Sequence, residues 1–540
     1  MPAVDISIVT HSPEFGTLAE LIGSIREQSA GLELNLFVLD NSPQPEAVDR
    51  LGRMPHVHDA FTHVDVQHSA INLGFGKGHN ANAKRGKAPF IFIINQDCVL
   101  EPGVLAPLLA NAERDDPSVA AWELRQIPYE HPKGYDPVTL ETPWFSGAAV
   151  LLRRAAFDAV GGFEPRIFMY GEDVDLSWRL RAKGFRLRYA PRCAVVHRTY
   201  KIANEVKPLQ VLGGVETNLC LRARFGGRRR TLRGLLRLVA ETLAPQEFPG
   251  RRAGLARAGF RFLWQWPYFY TTRVAPTATF APIFSGWGYE ARRDGAFVAM
   301  RSLREAPRVE TPLVSILIRT VDRGAWLEQA LSSVANQTWH RIEVIVIEDG
   351  PARSQAVVDR FSDRLDIRYI ATGSKVGRAR AGNIALKEAR GEWLNFLDDD
   401  DLLFADHVEV LMDAAQARRV KGVYGLAWET PTRIVDREAA RYEELACSTR
   451  HRHPFDRLTL WHHNIFPIQA VLFHRSLYER HGGFAEDMDQ LEDWNLWTRY
   501  TLEDDFLLVE KTTSKYRVPA SAREAAARQA LLDRAYRDAV

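Results

Sequence analysis

Short apolar runs alternate with amphipathic segments along residues 1–200. Residues 6–10, 34–39 and 90–94 are typical of buried strands, and the apolar period over residues 17–28 predicts a helix between the first two. Strands that alternate with helices usually form a parallel sheet with helices on both faces. The pattern therefore predicts an α/β fold built on a parallel sheet.

The same order of elements returns after residue 310. Strands are predicted at residues 314–318, 344–347 and 393–397, and helices at residues 326–336, 357–365 and 383–389. One further strand is predicted in each half, at residues 149–154 and 470–475. The two halves are therefore expected to share one fold.

Polar landmarks also recur. Gly74, Asn80 and Asp97 recur as Gly377, Asn383 and Asp400, in each case 303 residues further along the chain. Gly-Gly-Phe followed by Glu-Asp occurs twice, at residues 161–163 with 172–173 and at residues 482–484 with 492–493. Because the repeated unit has the size of a domain, the repeat indicates a tandem duplication and not a solenoid.

Four consecutive aspartates follow a predicted strand at residues 398–401. In extended geometry Asp398 and Asp400 place their carboxylates on one side, which suits a hard divalent cation. A solvated acidic turn that caps the next helix is the alternative. Since ligands bind beyond the carboxyl ends of parallel strands, the position favours a metal site. The corresponding residues of the first half are Asn95-Gln96-Asp97, in which an asparagine replaces the first aspartate of the Asp-x-Asp pair.

The two Glu-Asp pairs lie far along the chain from these aspartates. A carboxylate at the start of a helix can accept a proton from a hydroxyl group that attacks a substrate. Helix capping would explain an isolated pair equally well. Because the pair is duplicated together with the other motifs, a general-base role for it is favoured over helix capping.

This order of motifs resembles the family 2 inverting glycosyltransferases of the GT-A fold. The resemblance covers residues 1–205 and 309–520, and residues 72–80 and 168–179 resemble bacterial rhamnosyltransferases of surface-polysaccharide synthesis. It implies an α/β fold with two GT-A (nucleotide-diphospho-sugar transferase, Rossmann-like) domains. A basic, aromatic helical region at residues 206–308 would join them, and residues 521–540 would form a C-terminal helix.

The resemblance also implies roles for the motif residues. Asp173 and Asp493 would be the catalytic bases. A Mg²⁺ or Mn²⁺ ion would be held by Asn95, Asp97 and His197 in the first domain and by Asp398 and Asp400 in the second. The nucleotide sites would include Thr10, His11, Asp40, Gly74 and Asn80, and in the second domain Glu348, Asp349, Gly377 and Asn383. No histidine of the second half matches His197, and Lys515, Tyr516 and Arg517 occupy that region instead.

The implied activity is bifunctional. Each domain would move a sugar from a nucleotide-sugar donor, dTDP-rhamnose being a candidate for the first, to a growing, lipid-linked surface glycan of the O-antigen or capsule type. Alternatively, only the second domain is active and the first binds glycan or acceptor. A dinucleotide site at residues 74–78 is disfavoured because that glycine-rich stretch lies well after the first strand. A nucleotidyltransferase is disfavoured because residues 10–16 lack a basic, glycine-rich signature.

Bulk properties narrow the choice of partners and compartment. The net charge of +2 gives no reason to expect nucleic-acid binding. Four scattered cysteines and the absence of a recognisable leader predict a reducing, cytoplasmic location. No apolar run reaches the roughly 18 residues of a membrane span. Residues 222–261 are rich in arginine and residues 262–270 in aromatics, which suits either peripheral binding to the inner face of the membrane or a helical linker.

Overall fold

Residues 3–45, 51, 57–198, 205–304, 311–488 and 490–539 are described in the computed structural model. The chain forms two units. The first comprises Met1–Tyr135, Leu140–Arg292 and Ala299–Ala306, and the second comprises Asp136–Thr139, Arg293–Val298 and Pro307–Val540. Each unit contains its own mixed β-sheet with helices packed against it.

The sheet of the first unit has the strand order β3-β2-β1-β4-β7-β6-β8-β5. Its strands are β1 (Val4–Thr10), β2 (Leu34–Asp40), β3 (His63–His68), β4 (Phe90–Ile94), β5 (Cys98–Leu100), β6 (Val119–Ile127), β7 (Ala149–Arg153) and β8 (Arg186–His197). The apolar runs predicted as strands occupy the buried centre, where Ile6, Leu36 and Phe92 lie on neighbouring strands.

The predicted parallel sheet is present as part of a larger mixed sheet. Strands β3, β2, β1 and β4 are parallel, but β7 runs antiparallel to both β4 and β6, and β5 runs antiparallel to β8. Parallel neighbours need a crossover that is usually helical. No helix occurs in residues 128–148, between β6 and β7, and the chain returns in the opposite direction.

Helices surround this sheet and extend beyond it. They are α1 (Phe15–Arg26), α2 (Val57–Ala60), α3 (Phe75–Arg85), α4 (Leu105–Arg114), α5 (Arg154–Ala159), α6 (Glu172–Ala182), α7 (Pro208–Leu221), α8 (Gly227–Leu243) and α9 (Arg251–Thr271). A π-helical turn at Arg222–Gly226 connects α7 to α8. The helix predicted at residues 17–28 is α1, displaced by two residues.

Helices α7 to α9 belong to the first unit. They share a buried cluster with α6, in which Trp178 lies among Leu219, Phe262 and Phe280. The guanidinium of Arg224 is buried beneath this cluster and pairs with Glu164 and Asp175, each at 2.6 Å. A buried ion pair needs such complete pairing to persist away from water, so these helices are anchored firmly to α6.

The second sheet has the order β11-β10-β9-β12-β17-β14-β18-β13, with β15 and β16 added beside β14. Its strands are β9 (Val314–Thr320), β10 (Ile342–Glu348), β11 (Asp366–Ala371), β12 (Trp393–Asp398), β13 (Leu402–Leu403), β14 (Gly422–Asp436), β15 (Arg441–Glu444), β16 (Ser448–Thr449), β17 (Val471–His474) and β18 (Leu507–Pro519). Its helices are α10 (Gly324–Ala335), α11 (Gln355–Asp359), α12 (Arg378–Glu388), α13 (His407–Arg418), α14 (Arg457–His462), α15 (Arg475–His481), α16 (Glu492–Tyr500) and α17 (Ala522–Ala539).

The two sheets have the same strand order, position for position, which confirms the duplication predicted from the sequence. Here too the first four strands are parallel and β17 is antiparallel to its neighbours. The helix predicted after Pro519 is α17, and the ring of Tyr536 stacks on Trp494 with centroids 5.4 Å apart. Among the described residues, no helix has the length and apolarity needed to cross a bilayer.

Candidate active sites

The first site lies where β1 and β2 end side by side. The Thr10 hydroxyl donates a hydrogen bond to Asp40 Oδ1 at 3.1 Å, and the same oxygen accepts one from the Ser42 amide at 3.0 Å. Both Thr10 and Asp40 are fully buried. The Asp40 carboxylate therefore fixes the loop that follows β2.

His11 connects this edge to the loop after β4. Its backbone N–H donates to Gln96 Oε1 at 3.1 Å, and Gln96 Nε2 donates to the His11 carbonyl at 3.4 Å. Gly74 begins α3 with a φ of +78°, and a Cβ there would lie 2.4 Å from the Phe168 carbonyl oxygen. Only glycine accommodates both that backbone angle and so close a contact.

A carboxylate and an imidazole meet beyond β4. Asp97 Oδ1 lies 3.4 Å from His197 Nε2, while His197 Nδ1 is hydrogen-bonded to Gln126 Oε1 at 2.7 Å. Burial opposes ionisation of Asp97, but the hydrogen bond and charge of His197 lower its pKa. Ligand atoms of Asp97, Cys98 and His197 lie within 4.8 Å of one another. The structure thus brings Asp97 and His197 together beyond the end of β4.

This first cluster fits a divalent cation. Gln126 orients the His197 ring, as partners behind metal-binding histidines commonly do. The Cys98 thiol is less suited to binding, because burial raises its pKa well above the usual value and it donates to the Ala148 carbonyl at 3.6 Å. The Asn95 backbone N–H donates to the same carbonyl at 2.8 Å, which places residue 95 beside the cluster.

Asp173 lies in the first turn of α6. Its two carboxylate oxygens accept hydrogen bonds from the Gly147 and Val174 amides at 3.1 and 2.8 Å. Burial raises its pKa, and burial together with the charge of Asp173 raises the pKa of Glu172 to about 8. A buried and a half-buried carboxylate that lie next to each other cannot both ionise easily, so this pair holds a proton near neutral pH.

Lys133 contributes a positive charge near this pair. It forms a buried ion pair with Glu123 at 2.5 Å, and its charge lowers the pKa of Asp173 against the effect of burial. Glu123 also accepts the Ser146 amide at 3.0 Å, beside the loop whose Gly147 contacts Asp173. The loop, the ion pair and the candidate base therefore form one connected network.

In the second unit, Glu348 and Asp349 also hold loops in place. Glu348 is buried and accepts hydrogen bonds from the Arg353 and Ser354 amides at 3.0 and 2.8 Å, and from the Tyr369 hydroxyl. Asp349 accepts the Val376 and Gly377 amides at 2.6 and 3.1 Å. Gly377 has a φ of +94° and is the N-cap residue of α12, as Gly74 is of α3.

The strand-end aspartates of the second unit are paired with arginines. Arg319, buried at the end of β9, donates to Asp398 Oδ1 at 2.7 Å and to Glu492 Oε1 at 3.0 Å. Arg323 pairs with Asp399 at 2.9 Å and Asp400 at 3.1 Å. Both predicted metal ligands are therefore neutralised by protein cations.

Other residues complete this acidic cluster. Asp399 accepts the Thr320 hydroxyl at 2.8 Å, and burial with the charge of Asp400 raises its pKa to about 7. Arg517 donates to the Asp400 carbonyl. The carboxylate oxygens of Asp398 and Asp400 are suitable ligands for a divalent cation. In this structure, however, they pair with Arg319 and Arg323 and do not form a metal-binding site. The second unit thus fits a resident metal less well than the first.

Asp493 occupies the position of Asp173 in the second unit. It lies in the first turn of α16, and accepts hydrogen bonds from Asn464 Nδ2 at 3.0 Å and the Trp494 amide at 2.8 Å. Burial and the charge of Glu492 raise its pKa to about 7. Both units therefore present a half-buried aspartate whose carboxylate binds a proton more readily than that of an ordinary aspartate.

Asn80 and Asn383 have the same structural role in the two units. Asn80 Nδ2 donates to the Phe163 carbonyl at 2.8 Å and its Oδ1 accepts the Phe163 amide at 2.9 Å. Asn383 makes the same pair with Phe484, at 3.0 and 2.7 Å. Each amide side chain thus fastens the Gly-Gly-Phe turn that precedes the base-bearing helix.

The family model "Glycosyl transferase family 2" matches residues 6–170 and 315–481, together more than half of the chain. The chain belongs to glycosyltransferase family 2. A second model, "Glycosyl transferase family group 2", matches residues 135–289. With the two matching sheets, this identifies each unit as a GT-A, Rossmann-like domain, as the sequence predicted.

Two relatives illustrate the range of similarity. An uncharacterized glycosyltransferase of Haemophilus influenzae is 28% identical over 30% of this chain and 63% of its own length. The N-acetylglucosaminyl-diphospho-decaprenol L-rhamnosyltransferase of Mycobacterium tuberculosis is 52% identical over 10% of this chain and 18% of its own length. The chain thus spans less than two thirds of either relative.

Among solved structures, the chain matches the mannosyltransferase PcManGT of Pyrobaculum calidifontis in complex with GDP-Man and Mn²⁺. It is 18% identical, with a TM-score of 0.32, and the match covers 50% of this chain and 72% of that one.

Sequence reasoning missed several residues of these sites. Arg319 and Arg323 had a detectable signal, because four adjacent aspartates require a counter-charge and an arginine inside the apolar run of β9 needs a partner. No sequence signal identifies the other three missed residues, because the local pattern around each is not typical of a functional site. They are Lys133, Gln126 and Asn464.

Proposed function

We propose that the protein is a bifunctional inverting glycosyltransferase. Each domain would transfer a sugar from a nucleotide-sugar donor, a hexosyl or deoxyhexosyl nucleotide, to a hydroxyl group of a glycan. The observation that supports this most strongly is the duplicated aspartate at the start of α6 and α16, half-buried in both and with a raised pKa. A module that only bound glycan would have no need of it.

In this proposal Asp173 and Asp493 accept the proton of the acceptor hydroxyl as its oxygen attacks the anomeric carbon. The bond from that carbon to the nucleotide diphosphate breaks as the new bond forms, so the configuration inverts. A raised pKa suits a general base at neutral pH, because it increases the driving force for proton transfer. No protein nucleophile is needed in such a single displacement.

The departing diphosphate needs positive charge beside it. In the first domain Asp97 and His197, with Asn95 adjacent, would hold a Mg²⁺ or Mn²⁺ ion that supplies it. In the second domain Asp398 and Asp400 would be the corresponding ligands, and Arg319 and Arg323, which pair with them, already contribute positive charge there. The nucleotide would lie along Thr10, His11, Asp40, Gly74 and Asn80, and along Glu348, Asp349, Gly377 and Asn383.

The donor and acceptor follow from chemistry and resemblance. The similarity to a decaprenol-linked rhamnosyltransferase supports dTDP-rhamnose for the first domain and a lipid-linked surface glycan as acceptor. Such an acceptor would place the enzyme in the cytoplasm, at the inner face of the membrane. The alternative is a first domain that only binds glycan or acceptor, for which Asn95 is the favouring observation.

The deciding experiment compares wild type with Asp173→Asn and Asp493→Asn. Transfer and hydrolysis are measured with dTDP-rhamnose, UDP-hexoses and GDP-sugars, each with Mg²⁺ or Mn²⁺. We expect each variant to lose at least about 100-fold in the use of a different donor, the typical contribution of a general base. If only Asp493→Asn matters, the first domain is a binding module. If wild type with a supplied polyprenyl-linked acceptor uses no donor, the proposal fails.

A further inference from the structure

Helix α8 exposes a stripe of large apolar side chains. Leu232, Leu236, Val239 and Leu243 follow the helical spacing i, i+4, i+7 and i+11, and each is 57–75% exposed. The face of α8 that packs against the rest of the unit is a different one, formed by Thr231, Gly234 and Leu238. The stripe is therefore surplus to the core.

Helix α9 exposes a second stripe. Phe260, Leu263 and Trp264 are 55–82% exposed, and the small apolar Ala253, Ala256 and Pro267 lie along the same face. The opposite face is buried, with Leu255, Phe262 and Phe269 inside the cluster shared with α6. A tryptophan that is 82% exposed on an ordered helix has no packing role within its own unit.

Basic residues border both stripes. Exposed Arg229 and Arg233 lie beside the stripe of α8, and exposed Arg257 and Arg261 lie beside that of α9. Helix α9 contains no acidic residue, and α8 contains only Glu241, which is already bonded to Arg237 and Arg251. Within the described part of the chain, Arg229, Arg233 and Arg257 form no ion pair with a carboxylate.

We propose that the exposed stripes of α8 and α9 form a docking surface for the anionic face of a lipid bilayer. Helices that combine an apolar face with flanking arginines lie in the bilayer interface, where the arginines meet phosphates and tryptophan is at headgroup depth. Each basic residue near an anionic surface contributes on the order of 1 kcal/mol. The high positive charge disfavours a second copy of the same surface as the occupant.

The surface is rigidly connected to the first active site. Arg224, between α7 and α8, pairs with Asp175 on α6, and the Tyr268 hydroxyl of α9 donates to Glu164 at 3.0 Å. Because α6 begins with Glu172 and Asp173, membrane binding would hold the candidate base at a fixed distance from the lipid surface. A fixed distance between the base and the lipid surface would suit an enzyme whose acceptor is linked to a lipid. The proposal of a docking surface does not itself depend on the proposed activity.

Vesicle flotation of the full chain, without substrates, tests the proposal. Vesicles of phosphatidylcholine alone are compared with vesicles containing about 30% phosphatidylglycerol, at low and high salt. Wild type should float with the anionic vesicles only. The variants Phe260→Ser with Trp264→Ser, and Arg229→Glu with Arg233→Glu, should each reduce the partition coefficient on the order of tenfold or more.

Matched controls test whether the loss of any exposed tryptophan, or the reversal of any two exposed arginine charges, reduces vesicle binding equally. Trp461→Ser removes a tryptophan that is exposed in the second unit, and Arg523→Glu with Arg528→Glu reverses two exposed charges on α17. Neither control should change flotation, and circular dichroism checks that every variant is folded. Equal binding by wild type and the α8 or α9 variants would overturn the proposal. A second outcome would also overturn it: wild type does not bind vesicles and is a dimer by light scattering, and the variant Phe260→Ser with Trp264→Ser is a monomer.

Discussion

Arg319 shows how one residue can decide the electrostatics of a site. It occupies a strand position that is Val9 in the first unit, one residue before the equivalent threonines Thr10 and Thr320. In the second unit its guanidinium connects Asp398 to Glu492, so two carboxylates from distant parts of the chain share one buried cation. The first unit has no such cation at this strand position and instead pairs Asp97 with His197.

Replacing Arg319 by methionine should therefore destabilise the second unit by about 3 kcal/mol or more, because it removes the buried cation that Asp398 and Glu492 share. Arg360→Met, which removes an exposed pair with Glu328, should cost less than about 1 kcal/mol. Urea unfolding measures both. Adding Asp398→Asn and Glu492→Gln to Arg319→Met should recover part of the loss, and equal costs for Arg319→Met and Arg360→Met would contradict the assignment.

The candidate base of the second domain predicts a pH profile. The pKa of Asp493 is raised to about 7, so its basic form is lost as the pH falls below that value. We expect kcat/KM of the second domain to fall about tenfold per pH unit on the acid side. Glu492→Gln removes the neighbouring negative charge and should move this acid limb to lower pH. A limb that stays in place would show that another group controls it.

At the scale of elements, the asparagine clamps connect a helix to a distant turn. Asn383 on α12 makes two hydrogen bonds to the backbone of Phe484, and Gly483 lies so close that a Cβ there would be 2.1 Å from Asn383 Oδ1. This explains in physical terms why Asn and Gly-Gly-Phe recur together in the two halves. The turn is positioned by the amide, and the second glycine leaves space for it.

Asn383→Ala should destabilise the second unit by about 2 kcal/mol, since two hydrogen bonds of about 1 kcal/mol each are lost. Asn80→Ala should cost the first unit a similar amount. Lys387→Ala, an exposed change on the same helix, serves as the control and should have little effect. Thermal unfolding followed by circular dichroism provides the measurement. A cost below about 0.5 kcal/mol for Asn383→Ala would mean that the turn holds without the clamp.

Most elements could be predicted because their signals are local. The buried run at β4 was predicted to the residue, and β1, β9 and α1 within two residues. The reversed direction of β7 could not be read from the apolar pattern, because a buried strand looks alike in either direction. The Arg319 pairings were also beyond local reasoning, since they depend on which strand ends meet in space.

For the molecule as a whole, the duplication has preserved the scaffold and changed the charges. Both units use the same strand order, the same glycine just before the third helix and the same acidic pair in the first turn of the helix that carries the candidate base. The two units differ in the group beside the strand-end aspartates, which is His197 in the first unit and Arg319 in the second. They also differ in that α7 to α9 belong to the first unit. Divergence at those points is what two different donors or acceptors would require.

Each unit also contains a buried histidine, and these predict how stability responds to acid. Burial lowers the pKa of His79 and of His407 from 6.5 to about 3. Below pH 6.5 the unfolded chain therefore binds a proton that the folded chain does not, and stability is lost as the pH falls towards 3. At pH 5 each histidine should cost about 2 kcal/mol relative to pH 7.

Carboxylates with raised pKa values, such as Asp399 and Asp493, act in the opposite direction over part of this range, so only a comparison of variants isolates the histidines. His79→Gln and His407→Gln should each be less stable than wild type at pH 7, and the difference should narrow by about 2 kcal/mol at pH 5, as measured by urea unfolding. The control Lys387→Ala, an exposed change that removes no group titrating between pH 5 and 7, should show the same difference at both pH values. The difference in unfolding free energy between wild type and His407→Gln could instead be the same at pH 5 and pH 7. That result would contradict a lowered pKa of His407 and would mean that water reaches the core of the second unit.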